Sequence, residues 1–552
     1  MKKYYNLLVF LALAVATPMR SQTVGIFLND SLALNGYTLL APNSSKTTWL
    51  LDNCGYVVNQ WESDYFPGLS AYLLENGNML RAARISSNFN AGGSGGRIEL
   101  YNWEGDLLWG YNHSSDIFHH HHDIEMLPNG NILVIAWEAH DSNDAIANGR
   151  DPINTSSQGV WAEQIVELEM VGTNEANIVW SWSLWNHLVQ DFDDTKPNYG
   201  VVSEHPGKMD INYGGQNPDW IHLNSIDYNE ELDQIILSSR HLHEVWIIDH
   251  STTTAEAATS SGGNSGRGGE ILYRWGNPQV YQRGTPEDQT LFGQHNAEWI
   301  PQGYPDEGNI MVFNNGQFRP EGNYSTIDVW APPLNNEGTY DLNPDEAFGP
   351  SVLTWQFIDT PNTLLFSQNI SGAHRLPNGN TLICEGRTGH IFEVDYEGNY
   401  VWDYVSPVVN SGIVTQGNPV NNNNVFRAYK YPADYPAFDG IDLVAGDPIE
   451  LEPVDYGCEI FADPTSNTIQ FLPLNGIRIG SNPFDNELTI FNNTDESVLY
   501  QLVDLTGKII LFDYSNASQA TVNASQLKSG MYILQVTNLE RTKFFNTKVI
   551  KK

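Results

Sequence analysis

The sequence predicts an all-β protein: a six-bladed β-propeller followed by a small C-terminal β-sandwich. Helical periodicity is nearly absent, and short β-rich runs alternate with Asn-Gly and Asp-Gly-type turns. A unit of two strands around a turn, then two more strands that end in tryptophan, recurs five times. A sixth copy is split between the two ends of this region, which is typical of a ring-shaped repeat fold and not of a solenoid.

The five complete units have first hairpins that read "AYLLENGNMLRAA", "DIEMLPNGNILVIA", "NSIDYNEELDQIILSSR", "AEWIPQGYPDEGNIMVFN" and "AHRLPNGNTLICEG". In the split unit, Tyr37 to Glu62 supplies three strands, and Val425 to Tyr435 resembles the missing first strand. Joining the two pieces closes a ring with few exposed strand edges. We therefore predict six blades over residues 36–436, in a domain of residues 23–436. The tryptophans that end the blades are predicted to pack between blades: Trp61, Trp109, Trp182, Trp275, Trp355 and Trp402.

The N-terminus and the overall charge predict an exported protein. Lys2 and Lys3 precede an apolar run, Leu7 to Ala16, that is too short to span a bilayer as a helix. We interpret residues 1–22 as a signal peptide that directs the chain through the periplasm. Since no later segment is apolar enough to cross a membrane, a secreted or cell-surface protein is expected. The net charge of −39 argues against nucleic acid as a partner.

The cysteine content allows at most one disulfide. The chain has three cysteines, Cys54, Cys384 and Cys458, so one must stay unpaired within the chain. An exported protein can keep a disulfide, but a fold of this size does not need one. Whether any bridge forms is left open by the sequence.

The C-terminal region differs in composition from the repeats. Residues 437–474 are rich in Pro and Asp and are interpreted as a linker, and residues 475–552 contain alternating strands. This tail resembles the C-terminal sorting domain of the type IX secretion system. The matching motifs are "NPF" at Asn482–Phe484, "DLTGK" at Asp504–Lys508, "LKSGMYILQV" at Leu527–Val536, and the final "KVIKK". The resemblance implies that the type IX machinery is a partner of this chain.

Histidines recur where the first strands of the blades begin. Because these strands line the central channel of a propeller, residues at their starts are expected to crowd around one mouth of the channel. The residues at four successive strand starts are His121 and His122 within "FHHHHDIE", then His222 with Asn224, then His295, then His374. His119 and His120 are predicted to lie in a loop. The convergence of several blades, more than any single histidine, indicates an active site.

The fourth blade adds a cation to this group. Its first hairpin turns near Glu231, with His222 nine residues before that point and Arg240 nine residues after it. Opposite residues of an antiparallel hairpin are about 5 Å apart at Cβ, so His222 and Arg240 should be neighbours. Asn224 is two residues from His222 and faces the same way. The sequence thus places His222, Asn224 and Arg240 on one patch.

The composition of this patch favours an anion over a metal ion. Several histidines could bind zinc or copper, but no carboxylate except Asp123 recurs at the strand starts, and Arg240 would repel a cation. Arg, Asn and His together suit the oxygens of a sulfuryl or phosphoryl group. A neutral imidazole can also act as a nucleophile. No GxxxxGK loop is present to bind a nucleotide, so no nucleotide cofactor is expected. The charge of Arg240 and the lack of recurring carboxylates predict a site without a metal.

These motifs resemble bacterial aryl-sulfate sulfotransferases. The similarity runs from "GYTLLAP" to "VFRAYKY" and includes "HHDIEMLPNGN", "HLNSIDYNEELDQIILSSRH", "GQHNAEW" and "AHRLPNGNTLICEG". It implies a six-bladed propeller that moves a sulfuryl group from a phenolic sulfate donor to a phenolic acceptor, without a nucleotide, through a transient sulfo-histidine. By position, the nucleophile is His295, and His222, Asn224 and Arg240 hold the sulfuryl oxygens.

Several points stay open at the level of the sequence. One of His121 and His122 matches a further active-site histidine, but alignment with the fourth blade favours His121 and alignment with the fifth favours His122. His374 is expected to contact substrate. Some relatives have a separate N-terminal β-domain and a disulfide, and neither is evident in this chain. The alternative function is a non-catalytic surface propeller that binds a polyanion such as a sulfated polysaccharide.

Overall fold

The structure is a computed structural model that describes residues 22–454, 457–461, 472–473, 476–480, 482–494, 497–503, 509–538 and 543–552. The predicted signal peptide, apart from Gln22, and the "DLTGK" motif lie outside the described residues. The chain divides into two compact units, one up to Phe461 and one from Ala462 onwards.

The first unit consists of antiparallel sheets that follow one another along the chain. After β1 (Gly25–Asn29), the strands of its first half are β2 (Gly36–Pro42), β3 (Thr47–Leu51), β4 (Val57–Glu62), β5 (Pro67–Leu73), β6 (Met79–Arg84), β7 (Gly96–Tyr101), β8 (Leu107–Asn112), β9 (Phe118–Met126), β10 (Ile132–His140), β11 (Val160–Val171) and β12 (Glu175–Ser183). Strands β5–β8 form the second sheet and β9–β12 the third. A short parallel pair, β13 (Leu188–Val189) and β14 (Met209–Asp210), follows the third sheet.

Three further sheets complete the first unit. The fourth contains β15 (Leu223–Asn229), β16 (Gln234–Ser239), β17 (Glu244–Asp249) and β18 (Tyr273–Trp275). The fifth contains β19 (His295–Trp299), β20 (Ile310–Asn314), β21 (Thr326–Trp330) and β22 (Trp355–Phe357). The sixth contains β23 (Gly372–Arg375), β24 (Thr381–Glu385), β25 (His390–Val394) and β26 (Tyr400–Val405), with β1 as a fifth strand at its edge. A small hairpin follows, β27 (Val408–Val409) and β28 (Gly412–Ile413).

The first sheet joins the two ends of this unit. Strand β29 (Val425–Pro432) pairs antiparallel with β2, so that Gly36 lies opposite Pro432 and Leu40 lies opposite Ala428. The sheet order is β29-β2-β3-β4. The predicted pairing of the two sequence fragments is therefore confirmed.

The predicted blade-end tryptophans link each sheet to the next. The Nε1–H of Trp61, in the first sheet, donates to the Asn102 carbonyl oxygen of the second sheet at 2.8 Å. Trp402, in the sixth sheet, donates to the Asn53 carbonyl oxygen of the first at 2.8 Å. The intermediate bonds run from Trp109 to Glu175, from Trp182 to Gly269, from Trp275 to Pro350 and from Trp355 to Tyr396. This series of six bonds starts at the first sheet and ends at it again. The prediction that the tryptophans pack between repeats is therefore confirmed.

A disulfide joins Cys54 to Cys458, with a Cα–Cα distance of 5.8 Å, and Cys384 is buried and free. The sequence left the existence of a bridge open and gave no sign of a disulfide, and the structure shows one. The turn after β3 meets the segment near residue 458, where Asn29 Nδ2 donates to the Glu459 carbonyl oxygen at 2.7 Å. The two cysteines are 404 residues apart in the sequence, so the bridge connects the N-terminal part of the first unit to the segment that follows β29 in the sequence.

The second unit has its own hydrophobic core. Its larger sheet contains β30 (Leu472–Pro473), β33 (Val498–Val503), β34 (Ile509–Ser515), β36 (Gly530–Asn538) and β37 (Lys543–Lys551). The smaller sheet contains β31 (Ile477–Ile479), β32 (Glu487–Asn492) and β35 (Gln519–Asn523). Side chains of both sheets, Leu488 and Ile490 from one and Leu534 and Val536 from the other, form a common buried cluster.

Helices contribute little to the described chain. The two α-helices, α1 (Ser142–Ala147) and α2 (Thr254–Ala257), have six and four residues. Within the described ranges, no helix combines the length and the apolar character that are needed to cross a membrane.

Candidate active site

The first strands of the third, fourth and fifth sheets are held together by side-chain hydrogen bonds. Asp123 on β9 accepts a hydrogen bond from the Ile226 N–H of β15 at 3.1 Å. Asn224 on β15 donates from Nδ2 to the Gln294 carbonyl oxygen, just before β19, at 2.7 Å. These bonds satisfy buried main-chain groups, since neighbouring sheets form no β-ladder with each other there. As a result, the beginnings of β9, β15 and β19 converge.

The four consecutive histidines all lie in strand β9 and are buried. The prediction that His119 and His120 lie in a loop is wrong. His119 Nε2 is 3.0 Å from Ser94 Oγ, and His120 Nδ1 accepts from the Gly96 N–H at 3.0 Å. Ser94 lies in the loop before β7, and Gly96 is the first residue of β7 in the second sheet. The sequence around the histidines does not reveal these partners.

A glycine-rich loop packs directly on this run. A Cβ atom at Gly93 would lie 1.9 Å from His122 Cε1, and one at Gly95 would lie 2.5 Å from His120 Nδ1. Both distances are far shorter than a van der Waals contact, so only glycine allows the imidazoles to occupy these positions. The loop therefore covers the histidines on one side.

His122, His222 and His241 form a row of imidazoles. The His122 and His222 rings pack edge to face, with centroids 4.6 Å apart. The His222 ring stacks on the His241 ring, also with centroids 4.6 Å apart. His222 Nδ1 is 2.6 Å from Asp219 Oδ2. Burial raises the pKa of Asp219, but the neighbouring His222 more than offsets this and holds that pKa below its usual value. Between the two candidates left open by the sequence, His122 is the one whose ring contacts His222.

His121 precedes His122 in the chain and contacts its ring. Its Nδ1 is 2.8 Å from His122 Nδ1, and its Nε2 is 2.8 Å from the Oε2 of Glu163, a buried residue on β11. The His121 ring stacks on Trp137 with centroids 4.0 Å apart. Burial lowers the pKa of His121 well below its usual value. Glu163 was not identified from the sequence, because it lies about 40 residues away on another strand.

His295 is buried at the start of β19, and its hydrogen bonds define its tautomer. Asn315 donates from Nδ2 to the carbonyl oxygens of Ser367 and Ile370, which leaves Oδ1 to accept from His295 Nδ1 at 2.7 Å. The Ile370 N–H donates to His295 Nε2 at 3.1 Å. The proton is thus on Nδ1 and the lone pair on Nε2. Burial lowers the pKa of His295 well below its usual value, and the positive charge of Arg240 adds to the shift.

Arg240 lies opposite His222, as the hairpin argument predicts. Its main-chain N–H donates to the His222 carbonyl oxygen at 3.1 Å. One guanidinium nitrogen donates to Gln317 Oε1 at 3.0 Å, while the buried Nε has no partner among the residues described. The guanidinium lines a cavity of about 310 Å³ that also contains Trp220 and Phe318. An unsatisfied cationic donor beside an aromatic-lined cavity suits an aromatic anion.

His374 lies on β23 and contacts the closing strand. Its ring stacks on Tyr429 with centroids 4.7 Å apart, and its Nε2 accepts from the Lys430 N–H at 3.3 Å. Burial lowers the pKa of His374 to about 3. These contacts attach His374 to β29 and not to the row of His122, His222 and His241.

Arg427, on the closing strand, was missed by the sequence argument. Its guanidinium donates to Asp123 Oδ2 and to the Asn224 carbonyl oxygen, both at 2.7 Å. Its positive charge contributes to the low pKa values of His122 and His295, after burial and nearer charged groups. The available signal was a charged residue in "VFRAYKY", at a position where the strand should face the interior.

A larger cavity of about 770 Å³ lies beyond Arg427 and is acidic. It is lined by Glu125, Asp227 and Glu298, one from each of β9, β15 and β19. Burial, reinforced by the neighbouring carboxylates, raises the pKa of Glu125 and of Glu298. The acidic and basic side chains that line this cavity are thus mainly carboxyl groups, whereas the cavity beside Arg240 is lined by a cation and aromatic side chains.

Three side chains near Arg240 have ligand atoms as close together as those of a metal site. The ligand atoms of Asp219, His222 and His241 lie within 4.8 Å of one another. His222 and Asp219 already bond each other, and His241 Nδ1 bonds the Asp219 carbonyl oxygen at 2.8 Å. The charge of Arg240 contributes to lowering the pKa of His241 to about 4, after burial and the neighbouring His222, and the same charge opposes a bound cation. We therefore assign these residues to a hydrogen-bonded network, and the metal-free site stays a prediction.

Comparisons with known proteins agree with these observations. Residues 29–416 match the family model of the arylsulfotransferases, and residues 481–552 match that of a secretion system C-terminal sorting domain. No curated protein matches the chain.

Similar solved structures share little sequence with the chain. A protein of unknown function from Bacteroides caccae is 11% identical, covers 72% of this chain and 98% of its own, and gives a TM-score of 0.38. A periplasmic gluconolactonase of Pseudomonas aeruginosa is 10% identical, covers 89% and 100% of the two chains, and gives 0.33. The family match spans most of the first unit and contains the His222, Arg240 and His295 site, so the chain belongs to the arylsulfotransferase family and carries a type IX secretion C-terminal sorting domain.

Proposed function

We propose that the six sheets of the first unit are the six blades of a β-propeller. The closed series of tryptophan bonds and the pairing of β29 with β2 support this arrangement. In this interpretation residues 23–436 form the catalytic propeller and residues 475–552 the sorting domain. The predicted linker, residues 437–474, contributes Cys458 to the first unit and strand β30 to the second. The site lies where the first strands of the third, fourth and fifth blades begin.

The proposed reaction is transfer of a sulfuryl group from a phenolic sulfate ester to a phenolic acceptor. His295 attacks the sulfur through Nε2 to give a sulfo-histidine, and the phenol of the donor leaves. An acceptor phenol then takes the sulfuryl group from His295. The observation that carries this proposal is the tautomer of His295, because Asn315 fixes the proton on Nδ1 and leaves the nucleophilic lone pair on Nε2.

The groups around His295 suit the charge of the sulfuryl group. Arg240, with its unpartnered Nε, and His222 supply donors to the equatorial oxygens, and each such donor typically contributes a few kcal/mol to transition-state stabilisation. The Ile370 N–H, 3.1 Å from Nε2, must leave the lone pair when sulfur arrives and can then donate to a sulfuryl oxygen.

Asn224 is assigned a different role from the one that the family resemblance implies. Its Nδ2 already donates to Gln294, and the atom without a partner among the described residues is Oδ1. A buried acceptor of this kind suits the O–H of the phenol and not a sulfuryl oxygen. His374, which bonds the closing strand, is assigned a structural role beside the pocket.

We further propose that the chain crosses the inner membrane through a cleaved signal peptide at residues 1–22 and the outer membrane through the type IX machinery. The sorting domain supports a surface or secreted location. The phenolic substrates of such an enzyme are encountered outside the cytoplasm, where activated nucleotide sulfate is not supplied.

The test is to trap the intermediate. The protein is mixed with 4-nitrophenyl sulfate without acceptor, quenched, and the sulfo group is located by peptide mass spectrometry. We expect one equivalent of nitrophenol and a sulfo group on His295, and neither in His295→Ala. His187→Ala is the matched control, since His187 is also buried but bonds the Ala257 carbonyl oxygen. A sulfo group on another histidine would refute the assignment, and binding of sulfated polysaccharide without any turnover would favour the non-catalytic alternative.

A further inference from the structure

Glu163 is a buried carboxyl group that the transfer reaction as described above does not use. It lies on β11, fully shielded from solvent. Its Oε1 accepts from the Leu223 N–H at 3.0 Å, and its Oε2 lies 2.8 Å from His121 Nε2. The titratable side chains that face it are those of His121 and Asp219, while His222 acts on it through its main chain. Both carboxyl oxygens therefore have fixed partners, and one of these partners is an imidazole.

The chain of contacts continues from Glu163 towards the reaction site. His121 Nδ1 and His122 Nδ1 are 2.8 Å apart, so one proton must lie between the two nitrogens. His122 contacts His121 through Nδ1, and its ring lies edge-on to His222. The series of a carboxyl group and two imidazoles therefore ends at His122, beside the residues proposed to bind the sulfuryl group.

We propose that Glu163, His121 and His122 form a proton relay that stores the proton exchanged between the phenols. This inference rests on the proposed sulfuryl transfer and extends it to the proton. His122 is the group that contacts the phenol oxygen, and His121 and Glu163 act through it as positioning residues.

The relay has two states with the same heavy-atom positions. In the loaded state Glu163 is protonated and donates to His121 Nε2. His121 carries its proton on Nδ1 and donates it to His122 Nδ1. His122 carries its own proton on Nε2. In the unloaded state Glu163 is a carboxylate, His121 carries its proton on Nε2, His122 carries its proton on Nδ1, and His122 Nε2 has a lone pair. One proton distinguishes the two states.

The two half-reactions balance through this change. In the first, His295 Nε2 forms a bond to sulfur while the ester S–O bond breaks, and the leaving phenolate takes the proton from His122 Nε2. The relay then shifts to the unloaded state. In the second, His122 Nε2 accepts the proton of the acceptor phenol, the phenolate attacks sulfur, and the N–S bond breaks. The relay returns to the loaded state and His295 is released.

The surroundings favour a relay over a single charged histidine. A protonated His122 would be a buried imidazolium beside His222 and close to the cation Arg427, and these neighbours add to the lowering of its pKa by burial. Shifting protons along Glu163, His121 and His122 avoids that charge, because only Glu163 changes ionisation. Burial raises the pKa of Glu163 well above its usual value, with a further contribution from Asp219, in agreement with a loaded resting state.

The test uses Glu163→Gln, which keeps both contacts. The amide oxygen can accept from Leu223 and the NH₂ group can donate to His121 Nε2, but no proton can be passed. With 4-nitrophenyl sulfate, whose leaving group needs no proton, the burst of nitrophenol should stay within about threefold of the unsubstituted protein. With an unactivated phenyl sulfate the first step should slow by roughly 10²- to 10⁴-fold, as expected for loss of general acid catalysis.

The outcomes separate the relay from the proposed reaction. Absence of a burst in the unsubstituted protein contradicts the sulfuryl transfer itself. A normal burst in the unsubstituted protein, with Glu163→Gln slowing activated and unactivated donors by the same factor, contradicts the relay.

A second measurement covers the case in which Glu163→Gln fails to fold. The rate of the unsubstituted protein is measured in mixtures of H₂O and D₂O with phenyl sulfate. Several protons moving together predict a curved dependence on the D₂O fraction, which disappears with 4-nitrophenyl sulfate. A linear dependence with phenyl sulfate would overturn the proposal.

Discussion

His295 donates from Nδ1 to the Oδ1 of Asn315 at 2.7 Å, and this bond determines which nitrogen of the ring is free to react. Asn315 cannot rotate to offer its NH₂ group, because that group donates to the carbonyl oxygens of Ser367 and Ile370. The same amide therefore fixes the tautomer of His295 and the loop whose N–H faces Nε2.

Asn315→Ala should slow the first half-reaction. The change removes the nearer acceptor of the Nδ1 proton and leaves the Gly293 carbonyl oxygen, 3.1 Å away, as the other. Losing a hydrogen bond to an imidazole that gains positive charge on sulfation typically costs about 1.5–3 kcal/mol. On the activation barrier this corresponds to roughly 10- to 150-fold in the burst rate with 4-nitrophenyl sulfate. Asn314→Ala is the control, because Asn314 bonds Thr290 and Asp328 and should affect stability alone. Equal burst rates in the two variants would contradict the role of Asn315.

Arg427→Met should destabilise the first unit strongly. It leaves Asp123 as an uncompensated buried charge, which typically costs about 3–5 kcal/mol in the free energy of unfolding. Adding Asp123→Asn should recover part of that loss. Arg267→Met is the control, since the Arg267–Glu270 pair is partly exposed and should contribute less than about 1 kcal/mol. Urea unfolding measures all four proteins, and a small effect of Arg427→Met would contradict a stabilising contact between Arg427 and Asp123.

Some of this site could be predicted from the sequence because it depends on local geometry. The pairing of His222 with Arg240 follows from hairpin register, and the pairing of β29 with β2 follows from complementary fragments. Both rules need only spacing along the chain.

Other features depend on contacts that spacing does not encode. His122 has a positive φ of 55°, at an irregularity in the pairing of β9 with β10, so strand alternation cannot assign the orientations of the histidine run. The burial of His119 and His120 is provided by another sheet. The Cys54–Cys458 bridge and the contact of Glu163 with His121 both require the folded arrangement of distant strands.

Activity should survive chelation. The guanidinium of Arg240 lines the same cavity as His241, and the proposed chemistry uses an imidazole nucleophile and no Lewis acid. We expect turnover with 4-nitrophenyl sulfate and a phenol to be unchanged after EDTA treatment and dialysis. Lasting inactivation that one added metal reverses would contradict the metal-free site.

His390 should make stability depend on pH above neutrality. Burial alone would lower its pKa, but Asp403, 2.9 Å from Nε2, and Glu385, 3.7 Å from Nδ1, raise it to about 9. A pKa raised by folding stabilises the native state below the unfolded value of about 6.5, and this contribution is lost as pH rises through about 9. The free energy of unfolding should therefore fall between these values relative to His390→Gln. Parallel pH profiles of the two proteins would show that the pair contributes nothing.

Deleting residues 475–552 should leave an active protein that is not sorted. The truncated chain retains Cys458, the closing strand β29 and all six sheets of the first unit. Among the described residues, the hydrophobic clusters of that unit contain no side chain of the tail. We expect turnover close to that of the full chain and accumulation in the periplasm of a host with a type IX system. Fractionation and activity assays measure both properties. The control is a periplasmic reporter fused to residues 475–552, which should reach the surface or medium. If the truncated chain reaches the surface as well as the full chain does, the tail is not its sorting signal.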